Sequence, residues 1–156
     1  MDPARLNDKI RRMINFANDL ASLSTCKQLR VAAIIFPIDC SQVYAIGYNG
    51  PPMRVANDSC NGKEGRCGCV HAEANAIAKM NLDTAKPSLM YTTAAPCLHC
   101  AGLIVNCHVV RAVMYSEKYR ASTGVDMLSR CDVPVIDVCN LSKTWFELFI
   151  MWWNKR

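Results

Sequence analysis

Apolar residues recur near the start of the chain at Leu6, Ile10, Met13, Ile14, Ala17 and Leu20. Steps of three and four place them on one side of a helix, which the pattern predicts over 5–23. The pattern then changes. A continuous β-branched and apolar run at 31–36, closed by Pro37, reads as a buried strand. The segment 42–46 reads as a second strand, ending in the turn-prone Gly47-Tyr48-Asn49-Gly50-Pro51-Pro52, and the two are close enough to form a hairpin. A polar, Gly- and Cys-rich stretch at 53–70 reads as a loop. Beyond it the patterns alternate: helix 72–80, strand 88–93, helix 98–106, strand 109–115, helix 123–130, strand 133–138 and a closing helix at 142–155. A hairpin followed by such alternation predicts a layered α/β domain with a mixed five-stranded sheet. The closing helix is apolar nearly all round, from Trp145 to Trp153. It is expected either to pack across the sheet or to face the sheet on one side and a second subunit on the other, through Trp152 or Trp153.

No repeat, low-complexity tract or linker divides the 156 residues, so 1–156 is read as one domain. With 51% apolar and 20% charged residues, the chain is neither disordered nor collagen-like. No apolar run is long enough to span a bilayer, and the first twenty residues mix Asp, Arg and Lys in a way unlike a secretory signal. A soluble cytoplasmic protein with no membrane partner is the expectation. The net charge of +5 is not gathered into a stripe, since Arg11-Arg12 and Lys155-Arg156 are isolated pairs. A nucleic-acid partner is therefore not expected, while a small phosphorylated substrate would suit the same charge.

Ten cysteines alter this picture more than the charge does. In an intracellular chain of this size they point to metal binding or catalysis rather than to disulfides. Cys97 and Cys100 form a CxxC, and Cys60, Cys67 and Cys69 crowd one loop; Cys40, Cys107, Cys131 and Cys139 stand singly beside apolar residues and are expected as small core side chains.

His71-Ala72-Glu73 stands where the Cys-rich loop becomes a helix, and Pro96-Cys97-Leu98-His99-Cys100 where a strand becomes the next one. His71, Cys97 and Cys100 are three zinc donors that leave a fourth tetrahedral position for water, the catalytic rather than the structural arrangement. Both sets begin helices, whose positive dipole ends favour thiolate. Glu73 is too near His71 in sequence to be a co-ligand. It is suited instead to take a proton from metal-activated water and return it to a leaving group. His99 and His108 are expected to point away from the metal. The pattern H-x-E…P-C-x-x-C is the signature of zinc nucleobase deaminases.

On these residues the chain resembles the cytidine/deoxycytidylate deaminase superfamily, and within it the deoxycytidylate branch. Ser24-Thr25-Cys26, the run 30–35, Gly47-Tyr48-Asn49-Gly50, Ala74-Asn75-Ala76-Ile77, Tyr115 and Tyr119-Arg120 belong to the same resemblance. His71 stands where free-cytidine deaminases typically carry Cys, which disfavours that branch. The chain departs from the pattern in a short connection between Glu73 and Pro96 and in Ala94-Ala95, where a polar residue is more usual.

The resemblance implies a three-layer α-β-α cytidine-deaminase-like fold and hydrolysis of dCMP to dUMP and ammonia, supplying dUMP for thymidylate synthesis. Attack would fall on cytosine C4 while Glu73 serves N3 and then the departing ammonia. It further implies that the Ala72 N–H and the Ala95 carbonyl hold the base, that the His71 ring flanks it, and that Asn49 reaches the sugar. Read alone, Asn49 equally serves a turn with Gly50. Lys27, Lys118, Tyr119 and Arg120 flank the motifs as candidate phosphate contacts, though each reads more readily as an ordinary surface residue. Family members are often hexamers regulated by dCTP and dTTP, so a homo-oligomer with those effectors is implied too.

A second, structural zinc also follows from the resemblance. Cys26 precedes the first strand, and Cys60, Cys67 and Cys69 lie in the loop before His71. If that loop folds back, four thiolates enclose a tetrahedral zinc; a disulfide and free thiols are the alternatives. Two rival functions are a deaminase of tRNA adenosine or single-stranded nucleic-acid cytosine, and a non-catalytic zinc-binding module. The Cys-rich loop, Ser24-Thr25-Cys26 and the lack of a basic stripe stand against the first. Glu73, which has no structural duty at a zinc site, stands against the second.

Overall fold

Every residue of strand β1 (Ala32–Pro37) is buried in the computed structural model, which describes residues 2–83, 85–118, 122–140 and Trp153. An apolar run with no polar face forms an interior strand, covered on both sides. β1 pairs antiparallel with β2 (Ala45–Tyr48) and with β3 (Ser88–Ala94), while β4 (Val110–Glu117) pairs parallel with β3 and with β5 (Val135–Asp137). The order is β2-β1-β3-β4-β5, a mixed five-stranded sheet as the alternation predicts.

Successive residues on these strands serve opposite faces. Ile34, Phe36, Leu89, Tyr91 and Met114 meet Leu6, Ile10 and Ala17 of helix α1 (Pro3–Ala21). Ala33, Ile35, Met90 and Val113 meet the other side, packed by Ala76 of α2 (Ala72–Lys79), Ile104 of α3 (Leu98–Cys107) and Leu128 of α4 (Thr123–Arg130). The result is three layers, α-β-α. Trp153 packs against the α1-side core. The rest of the closing helix expected at 142–155, Trp152 included, lies outside the described residues, as do Tyr119 and Arg120. No helix among the described residues is long and apolar enough to cross a membrane.

Two expectations are corrected. The second strand is not 42–46 but Ala45–Tyr48, with Ile34 opposite Ile46 and Ala33 opposite Gly47. A turn after β1, with Cys40 at φ 52 and the Ser41 N–H donating to Asp39 Oδ1 at 3.0 Å, uses up the residues assigned to the strand's start. Gly47 is therefore a strand residue, and its lack of a side chain answers to α2. A Cβ there would lie 2.1 Å from the Ala72 carbonyl oxygen. The second correction concerns the single cysteines. Cys40 and Cys107 are buried, but Cys131 and Cys139 are exposed. Cys131 ends α4, and Cys139 sits in the 3₁₀ turn Val138–Asn140, both at chain reversals beyond the packed elements.

Candidate active site

Two chain segments deliver side chains to one end of the sheet. The Cys-rich loop is pinned at its exit by an isolated antiparallel bridge, in which the Val70 N–H donates to the Gly50 carbonyl at 2.8 Å and the Gly50 N–H returns a bond at 3.3 Å. His71 follows as the N-cap of α2, in an extended conformation. β3 runs out through Ala95 and Pro96 to Cys97, the N-cap of α3, also extended. The imidazole of the one cap faces the thiol of the other. Cys97 Sγ and Cys100 Sγ each lie 3.4 Å from His71 Nδ1.

These spacings fit a metal. Zn–S bonds of about 2.3 Å and Zn–N bonds of about 2.0–2.1 Å at tetrahedral angles set sulfur and nitrogen roughly 3.5 Å apart. Two soft thiols and an imidazole are donors that suit zinc. Hydrogen bonding from Cys100, with further help from His71, holds Cys97 down to about 3. That same bond to Cys97, together with burial, pushes Cys100 up. The bond to Cys97 raises His71 as well. Glu73 is 4% exposed, and burial pushes its carboxyl up to about 7. A carboxyl balanced near neutrality can both accept and return a proton.

His71, Glu73 and Cys97 lie in a cavity of about 450 Å³. Small-molecule sites occupy roughly 300–1,000 Å³. Ala72, Ala94 and Ala95 contribute further wall. The Ala95 N–H donates to the Glu117 carbonyl at 2.8 Å. Asn49, 6% exposed, also lines the cavity. Its Oδ1 accepts from Ser24 Oγ at 2.6 Å and from the Val31 N–H at 2.8 Å, and its Nδ2 donates to the Leu29 carbonyl at 2.7 Å. One Nδ2 hydrogen remains for another acceptor.

The remaining wall comes from Cys26, Gln28, Leu29 and Val31 ahead of β1 and from the Cys-rich loop, through Gly65, Arg66, Cys67, Gly68 and Cys69. Here the loop has folded back. The ligand atoms of Cys26, Cys60, Cys67 and Cys69 all lie within 4.8 Å of one another, with Cys26 Sγ 3.9 Å from both Cys60 and Cys67. All four are free thiols. Tetrahedral zinc sets sulfurs roughly 3.8 Å apart, so this donor set fits a metal as well. Backbone N–H groups of Lys27 and Gly62 bring Cys60 down to about 7, while burial pushes Cys69 up.

Other predicted site residues lie elsewhere. Lys27 Nζ donates to the Asp58 carbonyl at 3.0 Å, and neither Lys27 nor Lys118 lines the cavity. His99 and His108 are exposed, and neither belongs to a donor cluster. Sequence reading missed the roles of four residues. Gly47 lets β2 lie against α2, Ser24 orients Asn49, and Gly124 brings α4 onto the metal-binding turn. A Cβ at Gly124 would sit 2.0 Å from the Pro96 carbonyl oxygen and 2.8 Å from the Cys97 carbonyl. Close backbone approach of this kind leaves only a glycine in the sequence, which by itself says nothing of the neighbour. Arg66 was overlooked too, because only the fold-back of the loop brings it to the cavity.

The family profile described as the cytidine and deoxycytidylate deaminase zinc-binding region matches residues 7–116. The deoxycytidylate deaminase of Saccharomyces cerevisiae is 35% identical over 111 residues, 64% of this chain and 35% of the yeast protein. That of Mycobacterium phage D29 is 28% identical over 120 residues, 67% of this chain and 91% of the phage protein. The chain spans about a third of the yeast relative's length and most of the phage one's. Among solved structures, the dCMP deaminase of cyanophage S-TIM5 in complex with dCMP and dUMP superposes with a TM-score of 0.70 at 28% identity, covering 80% of this chain and 93% of the phage chain.

Proposed function

For a chain that belongs to the cytidine and deoxycytidylate deaminase zinc-binding family, we propose the hydrolysis of dCMP to dUMP and ammonia. The observation that carries this reading is the buried Glu73 beside the three donors His71, Cys97 and Cys100, in a cavity of nucleotide size. The substrate is supported by the complex of the S-TIM5 enzyme with dCMP and dUMP. His71, Cys97 and Cys100 would hold a zinc ion, which would supply a Lewis acid able to acidify water for addition to cytosine C4. Glu73 takes one proton from the water and delivers it to N3 as the C4–O bond forms, then takes the remaining hydroxyl proton and delivers it to the amino group, so that the C4–N bond breaks, the C4 carbonyl forms and ammonia leaves. The Ala72 N–H, in the first turn of α2, and the Ala95 carbonyl hold the edge of the base, the His71 ring flanks it, and the spare Nδ2 hydrogen of Asn49 meets the sugar.

In the same reading Cys26, Cys60, Cys67 and Cys69 hold a second, structural zinc that fixes the loop against the cavity. Ten unpaired cysteines suit a reducing, cytoplasmic setting. Assembly into a homo-oligomer, a hexamer by family likeness, and control by dCTP and dTTP complete it. Ammonia release from dCMP, CMP, deoxycytidine and dCTP, assayed side by side on zinc-replete protein, tests the proposal. dCMP is expected to be turned over fastest, and no ammonia from dCMP would refute it.

A further inference from the structure

A nucleoside 5′-monophosphate brings close to two negative charges into its site at neutral pH. The end of the cavity lined by His71, Glu73 and Cys97 is where the base must lie for its C4 to be reached. The phosphate must be met along the wall. Among the described residues lining the cavity, Arg66 is the permanently cationic one. It is exposed, and the hydrogen bonds formed by Arg66 use only its backbone.

That backbone is held at both ends. The Arg66 N–H donates to the Lys63 carbonyl at 3.1 Å, and its carbonyl accepts from Asn61 Nδ2 at 3.1 Å. Gly65 and Gly68, at φ +66 and +79, take left-handed conformations that a side chain disfavours. Nothing lies within 4 Å of a Cβ at either position, so the requirement is for backbone shape rather than for room. Between these glycines the chain sets Arg66 on the cavity wall, while the next residue, Cys67, joins Cys26, Cys60 and Cys69. The guanidinium is thus one residue from a four-thiol clasp that ties the loop to the segment before β1.

We infer that Arg66 recognises the 5′-phosphate and sets the selectivity of this site for nucleotide over nucleoside, with the four-cysteine clasp positioning it. The inference rests on the nucleotide-deaminase reading and adds a residue to it. A guanidinium meets a phosphate with two parallel N–H···O bonds, which a point charge cannot reproduce.

Calorimetric binding of dUMP and of deoxyuridine to zinc-replete protein tests it, because the ratio of the two affinities isolates the phosphate. Arg66→Ala is expected to lower that ratio roughly 10–100-fold, the value of a charge-assisted hydrogen-bond pair. In turnover the same change should raise KM for dCMP more than it lowers kcat. Arg66→Lys should restore part of the ratio, and Lys63→Ala, an exposed cation on the same loop but off the cavity wall, should leave it intact. Cys69→Ser should lower the ratio in the same direction, and adding it to Arg66→Ala should lower it little further, since both act through one contact. Equal weakening of dUMP and deoxyuridine by Arg66→Ala, or weakening of neither, overturns the assignment to Arg66. Full additivity of Cys69→Ser overturns the positioning role of the clasp. A parent protein that deaminates no cytosine compound refutes the functional reading instead, so the two failures are told apart.

Discussion

Glu73 combines three conditions that rarely meet in one carboxylate: it is 4% exposed, it lies beside a cluster of soft donors, and it opens onto a cavity. Burial without an ion-pair partner normally costs stability, so a group kept there in a neutral-to-ionised balance is suited to proton transfer. Glu73→Gln retains the shape and removes the titrating oxygen. Turnover should fall by about 10²–10⁴ while zinc content and the far-ultraviolet circular dichroism spectrum stay as in the parent. Near-normal turnover in a zinc-replete variant would take Glu73 out of the mechanism. At this scale much was legible: His71, Glu73, Cys97 and Cys100 stand in the sequence as a spaced motif, and the structure brings the three donors to within bonding distance of one ion. Ser24 was not legible as the residue orienting Asn49, because a serine 25 positions upstream carries no sign of the hydrogen bond it makes.

At the scale of elements, apolar periodicity located α2, α3, α4, β1 and β3 to within a residue or two, since each buries a face with a clear period or is buried outright. It failed at β2, where a side-chain turn at Asp39 and Ser41 displaces the start and a glycine taken for a turn residue lies in the strand. Gly47 and Gly124 have the same physical meaning. Each permits one backbone to touch another, Gly47 beside Ala72 at the start of α2 and Gly124 beside Pro96 and Cys97 at the start of α3. The two donor-bearing helix starts are therefore held from outside by glycine contacts. Gly124→Ala forces a methyl group onto the Pro96 carbonyl, so α4 or the ligand turn must move. The expected loss is about 1–3 kcal/mol, the usual cost of overpacking, read as a lowered denaturation midpoint. Catalytic zinc should be held more weakly at the same time. An unchanged midpoint with full zinc would show that α4 does not brace the turn.

For the molecule as a whole, the proposed function predicts one catalytic and one structural zinc per chain. Elemental analysis of the parent should return two zinc ions per chain. Cys97→Ala should return one and lose turnover, and Cys60→Ala should return one by emptying the other cluster. One zinc in the parent, with Cys26, Cys60, Cys67 and Cys69 freely alkylated, would remove the second site. That cluster was only half legible. Three of its cysteines crowd one loop, but its closure on Cys26 depends on how 53–70 folds back over the start of β1, which no local pattern encodes. Arg66 was hidden for the same reason. The central claim is hydrolytic deamination of dCMP through water at the His71–Cys97–Cys100 site, and the fate of the water oxygen tests it most directly. With zinc-replete protein and dCMP in heavy-oxygen water, mass spectrometry should find dUMP carrying one heavy oxygen, located on the base at C4, together with an equal amount of ammonia. Unconverted dCMP, or dUMP whose C4 oxygen is unlabelled, would contradict the account.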